Sequence, residues 1–235
     1  MMSARGRIDF AQAAGLVTFI AIIIVLWNTW AVYPLRLLVV FFHELSHGLA
    51  ALATGGSIVE IQMSAQEGGH CVTRGGSRFL TISAGYLGSL LWGGLILLIA
   101  TRTKASQIGI EVLGALLLLV TVIWVRPVIG FGFGFGLVTG LVLVASAYLF
   151  RPIVHETMMT AIGLTSCMYA VLDIKSDVLD RPEAVSDAVL LANETGIPAW
   201  AWGVSWFAIS ILLAVRFILV ASRHVPENAP PTSNV

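Results

Sequence analysis

The sequence predicts an all-α polytopic membrane protein with about six to seven transmembrane helices and a small β-hairpin after the second of them. Hydrophobic residues make up 57% of the 235 positions, only 11% of the residues are charged, and several apolar runs are long. A transmembrane helix needs about 20 mostly apolar residues, because each residue advances the helix by about 1.5 Å through a hydrocarbon core of about 30 Å. Several runs in this chain meet that requirement.

Apolar runs bounded by charges, prolines and glycines mark the candidate spans. They cover residues 12–33, 35–54, 78–101, 106–125, 130–150, 153–172 and 198–221. The first run follows Arg5 and Arg7, as the apolar part of a signal peptide would, but it contains no clear small-residue cleavage site. We therefore expect it to remain in the protein as a first span.

Residues 55–77, between the second and third runs, predict a β-hairpin. Alternating segments at 57–63 and 70–73 flank Gly68 and Gly69, which suit a turn. Backbone polar groups must be satisfied within a bilayer, so the hairpin should lie in a cavity or at the membrane surface rather than against lipid tails. It could present an edge strand to a substrate or serve only as a connector.

Three further segments have distinct patterns. Gly132, Gly136 and Gly140 are spaced four residues apart, which predicts a helix face that permits close helix packing. Residues 173–197 are polar and predict a solvated loop with a short helix. The proline-rich tail, residues 225–235, should be disordered, which leaves residues 1–224 as a single transmembrane domain.

Charge and cysteine content exclude several other classes. The 13 basic and 13 acidic residues balance and form no basic run, so we expect no nucleic-acid partner. Cys71 and Cys167 lie far apart without a CxxC motif, which argues against a disulfide framework or a cysteine zinc site.

The long apolar runs indicate instead that the protein lies in the lipid bilayer, and we expect it to be a multi-pass protein of the plasma membrane.

The segment HELSH at 43–47 carries the most specific chemical signal. On a helix, His43 and His47 project from one face one turn apart and can hold one metal ion. Zn²⁺ suits two neutral imidazoles and a carboxylate, and it leaves a fourth position for water, which Glu44 can deprotonate as general base. A chance match is the alternative, but polar residues within an apolar span are costly and typical of function.

The chain resembles the M50 site-2 protease superfamily, and its M50B-like branch in particular. The resemblance rests on the HELSH helix, the Gly-Gly pair at 55–56, the glycine-containing hairpin and the segment AGYLG at 84–88. Residues 169–174, residues 186–188 and the tryptophan-rich last span extend it over most of 35–221. It implies an intramembrane zinc metalloprotease that hydrolyses peptide bonds of membrane-embedded or membrane-anchored substrates.

The resemblance also implies a third zinc ligand, an aspartate from a later transmembrane segment. The matching position is Asp173, at the end of the sixth run, although the superfamily's LDG-type motif is replaced by Leu-Asp-Ile at 172–174. Asp177, one helical turn later, is the alternative ligand, and Asp173 could instead cap a helix or face water at the interface. His70 and Cys71 in the hairpin form a weaker alternative pair.

Two other functions are compatible with this pattern. A non-catalytic membrane scaffold or sensor would keep the metal for structure, as the altered third-ligand motif suggests. A transporter would use the intramembrane polar residues as a path, but the sequence has no clear inverted repeat. Only the protease interpretation gives His43, Glu44 and His47 separate roles.

Overall fold

The computed structural model describes residues 8–175 and 186–223, which form helices and one two-stranded sheet. In chain order the elements are α1 Phe10–Val25, α2 Tyr33–Ala53, β1 Ser57–Met63, β2 Gly69–Arg74, α3 Arg78–Arg102, α4 Ser106–Trp124, α5 Phe131–Leu149, α6 Pro152–Lys175, α7 Asp187–Thr195 and α8 Ala199–Ala221. The predicted fold class is confirmed. The predicted tail at 225–235 lies outside the described residues.

Six helices within the described ranges, α2 to α6 and α8, are long and apolar enough to cross a membrane. The protein is therefore an integral multi-pass membrane protein. The predicted run at 12–33 differs from the structure, because α1 has only 16 residues and ends at Val25, with Leu26 as its C-cap. The hydroxyl of Thr29 donates to the carbonyl of Leu26 at 2.6 Å, and such side-chain bonds to the backbone compete with helix continuation.

Helix α3 lies at the centre and packs against α2, α6 and α8. Glycines bring the backbones of α3 and α6 close together, since a Cβ added at Gly93 would lie 2.8 Å from the carbonyl oxygen of Gly163. The predicted glycine face of α5 is also confirmed. A Cβ added at Gly140 would lie 3.1 Å from the carbonyl oxygen of Gly114 on α4.

The hairpin predicted at 55–77 is confirmed. Its strands pair antiparallel, with Ser57 opposite Arg74 and Met63 opposite Gly69. The second edge of β1 is also occupied, because the N–H of Arg126 donates to the carbonyl of Ile61 at 2.9 Å. Within the described residues β2 pairs with β1 alone, so one sheet edge has no strand beside it.

A glycine turn places the start of α3 beside the end of α2. Gly55 follows α2 with φ +86°, a conformation that favours glycine, and Gly56 N–H donates to the carbonyl of Ala51 at 2.8 Å. Across the hairpin, the N–H of Ser77 donates to the hydroxyl of Thr54 at 2.9 Å. The polypeptide thus returns to α2 before α3 begins, and the two helices run antiparallel.

The beginning of α1 lies beside the carboxyl ends of α3 and α8. Asp9 caps α1 by accepting from the N–H of Gln12 at 3.1 Å, and its own N–H donates to the carbonyl of Ser222 at 2.8 Å. The side chain of Gln12 donates to the carbonyl of Thr101 at 3.4 Å. These contacts fix the beginning of α1 at the carboxyl ends of the other two helices.

Candidate metal centre

Helix α2 presents both histidines of the HELSH segment on one face. The ring centroids of His43 and His47 are 4.8 Å apart, as their spacing of four residues predicts. Helix α3 passes directly across the rings at Gly85. A Cβ added at Gly85 would lie 2.6 Å from Cε1 of His47 and would also overlap His43, so only glycine fits there.

Asp187 is the third member of the group. It opens α7, where the hydroxyl of Ser186 accepts from the N–H of Val189 as an N-cap. Its Oδ2 lies 3.1 Å from Nε2 of His43 and 3.3 Å from Nε2 of His47. Among the residues that the structure describes, these three side chains form a group able to hold a metal ion.

The hydrogen bonding of the group fits a bound cation. Nδ1 of His47 lies 2.7 Å from the carbonyl oxygen of Thr81, which can only accept, so Nδ1 carries a proton, and a neutral His47 has its lone pair on Nε2. Oδ2 of Asp187 is buried and has no hydrogen-bond partner of normal geometry in the described ranges. Nε2 and Oδ2 can lie this close only with a proton or a metal ion between them, because two facing lone pairs repel each other.

The spacing also suits zinc. Ligand atoms at about 2.0–2.1 Å from a tetrahedral ion lie about 3.3 Å apart. Asp187 is suited to be the anionic member. Burial raises its pKa, but the charge that protonated imidazoles at His47 and His43 carry, and the hydrogen bonds that they donate, outweigh burial and hold the pKa of Asp187 below its ordinary value. The side chain is therefore a carboxylate at neutral pH.

Glu44 lies beside the group and against the hairpin. It is buried, and a Cβ added at Gly69 of β2 would lie 2.8 Å from Oε1 of Glu44. A cavity of about 1070 Å³ opens onto Glu44 and the three possible ligands. Because β2 also lines this cavity, the carboxylate of Glu44 lies between the possible ligands and a strand.

Aromatic side chains link the helices that carry the ligands. Tyr86 of α3 contacts His43 edge to face, with centroids 4.9 Å apart, and Trp206 of α8 lies 5.3 Å from Tyr86. Trp202 lies 6.1 Å from Trp206, and its indole N–H donates to the hydroxyl of Thr195 at the end of α7. This array holds α7 against the bundle and Asp187 near the histidines.

The structure brings Asp187, rather than Asp173, to the two histidines. Asp173 lines the same cavity near the end of α6, but it is not one of the three converging side chains, so the geometry favours Asp187 as the candidate third ligand. The carboxylate comes from the first turn of a later, short helix instead of from the end of a span. Asp177, the other candidate, lies outside the described residues.

The hairpin pair His70 and Cys71 lines the cavity without joining the group. Burial, with a smaller contribution from the charge of Glu44, raises the pKa of the Cys71 thiol to about 12. Cys71 is therefore a neutral thiol at physiological pH, a poor metal ligand.

Together, the six candidate spans, the hairpin beside α2 and the converging His-His-Asp group define a multi-pass membrane protein with a candidate metal centre. The chain matches the model of the family described as Peptidase M50B-like over residues 16–217, and it belongs to that family. No curated protein and no solved structure matches it.

Proposed function

We propose that the protein is an intramembrane zinc metalloprotease of the site-2 protease type, acting on membrane-embedded or membrane-anchored peptides in the plasma membrane. The observation that carries the proposal is the convergence of His43, His47 and Asp187 within a cavity that also contains Glu44. Zn²⁺ held by these three ligands supplies Lewis acidity, which polarises a carbonyl oxygen and makes water more acidic.

Glu44 is placed to move the proton. Its carboxylate accepts a proton from the water that attacks the scissile carbonyl carbon, and it then delivers that proton to the nitrogen of the leaving amine as the C–N bond breaks. The Thr81 carbonyl keeps Nδ1 of His47 protonated and its Nε2 available. Asp187, as a permanent anion, offsets positive charge in the buried site.

The substrate in this proposal is an extended membrane peptide. A helical segment keeps its carbonyls hydrogen-bonded, so it must unwind locally before it can be attacked. The edge of β2 that has no strand beside it can pair with the unwound segment by β-addition. Glu44 packs against Gly69 on the same strand, so a peptide paired there would lie close to the general base.

Zinc content and hydrolysis together test the proposal. We expect about one zinc per purified chain, lost in His47→Ala and Asp187→Ala but retained in the matched variants Asp173→Ala and Asp177→Ala. Glu44→Gln should keep zinc and lower the cleavage rate of a transmembrane peptide by about 10²- to 10⁴-fold.

Two results would contradict the proposed protease function. Wild-type protein without zinc would reject the metalloprotease. Stable zinc with no hydrolysis of any membrane peptide, and unchanged biological function in Glu44→Gln, would favour the scaffold or sensor instead.

A further inference from the structure

Arg36 on α2 is a charged residue within a membrane-spanning helix that the proposed reaction does not use. Its side chain lines the cavity, is 15% exposed, and places Nη2 2.9 Å from Oε1 of Glu67. Its guanidinium also lies over the ring of Trp27, 5.7 Å from the centroid. Charged side chains at such positions are costly and usually serve a function.

In the part of the chain that the structure describes, the ion pair with Glu67 leaves the Nε–H group of Arg36 without an acceptor. Nε is buried and has no hydrogen-bond partner among the described residues. A guanidinium can bind both oxygens of one carboxylate side-on through Nε and Nη2, which is the stronger arrangement. A buried N–H without an acceptor is unfavourable, so the site favours a second carboxylate oxygen at Nε.

Glu67 reaches Arg36 from a turn residue of unusual backbone conformation. It lies in the turn between β1 and β2 with φ +62°, a conformation uncommon for residues other than glycine. Burial raises the pKa of Glu67 despite the opposing effect of Arg36. The turn has a separate attachment to α2, because the hydroxyl of Tyr33 donates to the carbonyl of Ala65 at 2.7 Å. This bond would keep the turn attached to α2 if a ligand took the place of Glu67 at Arg36.

We propose that Arg36 forms a carboxylate-binding subsite of the cavity, which takes an acidic side chain or the C-terminal carboxylate of a peptide in place of Glu67. The peptide nature of the ligand rests on the proposed function. Arg36 precedes His43 by seven residues, or about 10.5 Å along α2. An extended peptide advances about 3.3 Å per residue, so the carboxylate lies roughly three residues from the scissile bond.

Binding of three peptides to the Glu44→Gln protein in detergent, measured by calorimetric titration, tests this subsite without hydrolysis. The three peptides contain the same apolar nine-residue sequence. The first ends in a free carboxylate and the second in an amide, and the third has an additional glutamate whose C-terminus is an amide. We expect the better acidic peptide to bind about tenfold or more tightly than the plain amide, as a charge-assisted hydrogen bond provides. Which acid binds better identifies the source of the carboxylate.

Variants assign the preference to Arg36. Arg36→Gln should abolish it, and Glu67→Gln should tighten binding of the acidic peptide while leaving the amide unchanged. That gain cannot result from misfolding. Arg78→Gln is the matched control, because Arg78 lines the same cavity and pairs with Glu194 at 2.9 Å, but its side chain is 65% exposed. It should keep the preference.

Three outcomes would overturn the subsite: equal binding of the three peptides, a preference that survives Arg36→Gln, or no binding of any peptide at millimolar concentration. Zinc content measured on the same samples distinguishes this failure from failure of the proposed metal centre. A protein with zinc but no carboxylate preference refutes only the subsite, and a preference without zinc refutes only the metalloprotease.

Discussion

At the scale of single residues, the candidate metal centre depends on an absent side chain as much as on its possible ligands. Gly85 lets α3 lie directly across the imidazoles of His43 and His47. Any Cβ there must displace at least one ring from the point at which the three side chains converge. The glycine therefore sets the geometry of the group without contributing a ligand atom.

Gly85→Ala should weaken zinc binding by about 10- to 100-fold, the range seen when the groups that orient metal ligands are changed. Competition with a chromophoric chelator measures the affinity, and circular dichroism reports the helix content. Gly134→Ala is the control, because a Cβ at Gly134 of α5 meets nothing within 4 Å. Unchanged affinity in Gly85→Ala would show that the rings do not need this space.

Cys71 should react slowly with alkylating reagents. Because its pKa is raised to about 12, the reactive thiolate fraction should rise about tenfold per pH unit across pH 7.5–10. In a Cys167→Ala background, mass spectrometry after iodoacetamide treatment gives the rate at each pH. A rate that levels off near pH 9, as for an ordinary thiol, would contradict the buried environment.

The residues of the site differ in how far the sequence could predict them. His43, Glu44 and His47 form one local motif, and helical spacing alone places them together. Asp187 lies far along the chain, and no periodicity links it to α2. The available signal was a helix start, Ser186 followed by Asp187 and an apolar run, which predicts a cap but not a ligand.

At the scale of secondary-structure elements, α7 is the component that completes the site. It has nine residues, too few to cross a membrane, and it is held by packing against α3 and α8. Polarity correctly indicated a short helix in residues 173–197, but it suggested solvent rather than a buried docking position. The polarity pattern could not show that α7 packs near Trp206 of α8 and Tyr86 of α3.

Trp206→Ala should lower zinc affinity by about tenfold or more although Trp206 is not a proposed ligand, because the aromatic array that positions α7 and His43 would be interrupted. Chelator competition again gives the affinity. Trp200→Ala on the same helix is the matched control, since Trp200 is 65% exposed and should have no effect. Equal losses in both variants would argue against the positioning role.

At the scale of the whole molecule, stability depends on backbones that approach closely at glycines. The α3–α6 contact lies at the centre of the bundle, and a Cβ at Gly163 would lie 2.8 Å from the backbone nitrogen of Leu97. Since α3 also packs against α2, displacement at this contact reaches the helix that bears the histidines.

Gly163→Ala should destabilise the protein by about 1–3 kcal/mol through overpacking. Thermal unfolding in detergent should show a midpoint lowered by roughly 2–10 °C. Gly15→Ala in α1 serves as control, because nothing lies within 4 Å of a Cβ there. A midpoint unchanged or raised in Gly163→Ala would mean that the two helices can separate without cost.

The hydrogen bond between Asp9 and Ser222 determines the parity of the membrane crossings. Asp9 begins α1 and Ser222 follows α8, so both lie on one face of the bilayer, and the path between them must cross an even number of times. Six spans satisfy that condition and seven do not. The apolar segment at 12–33 therefore makes no complete crossing of the bilayer, and α2 begins on the face where α1 begins. Reporter groups attached at Ile8 and Arg223 should therefore be accessible from the same side of the membrane.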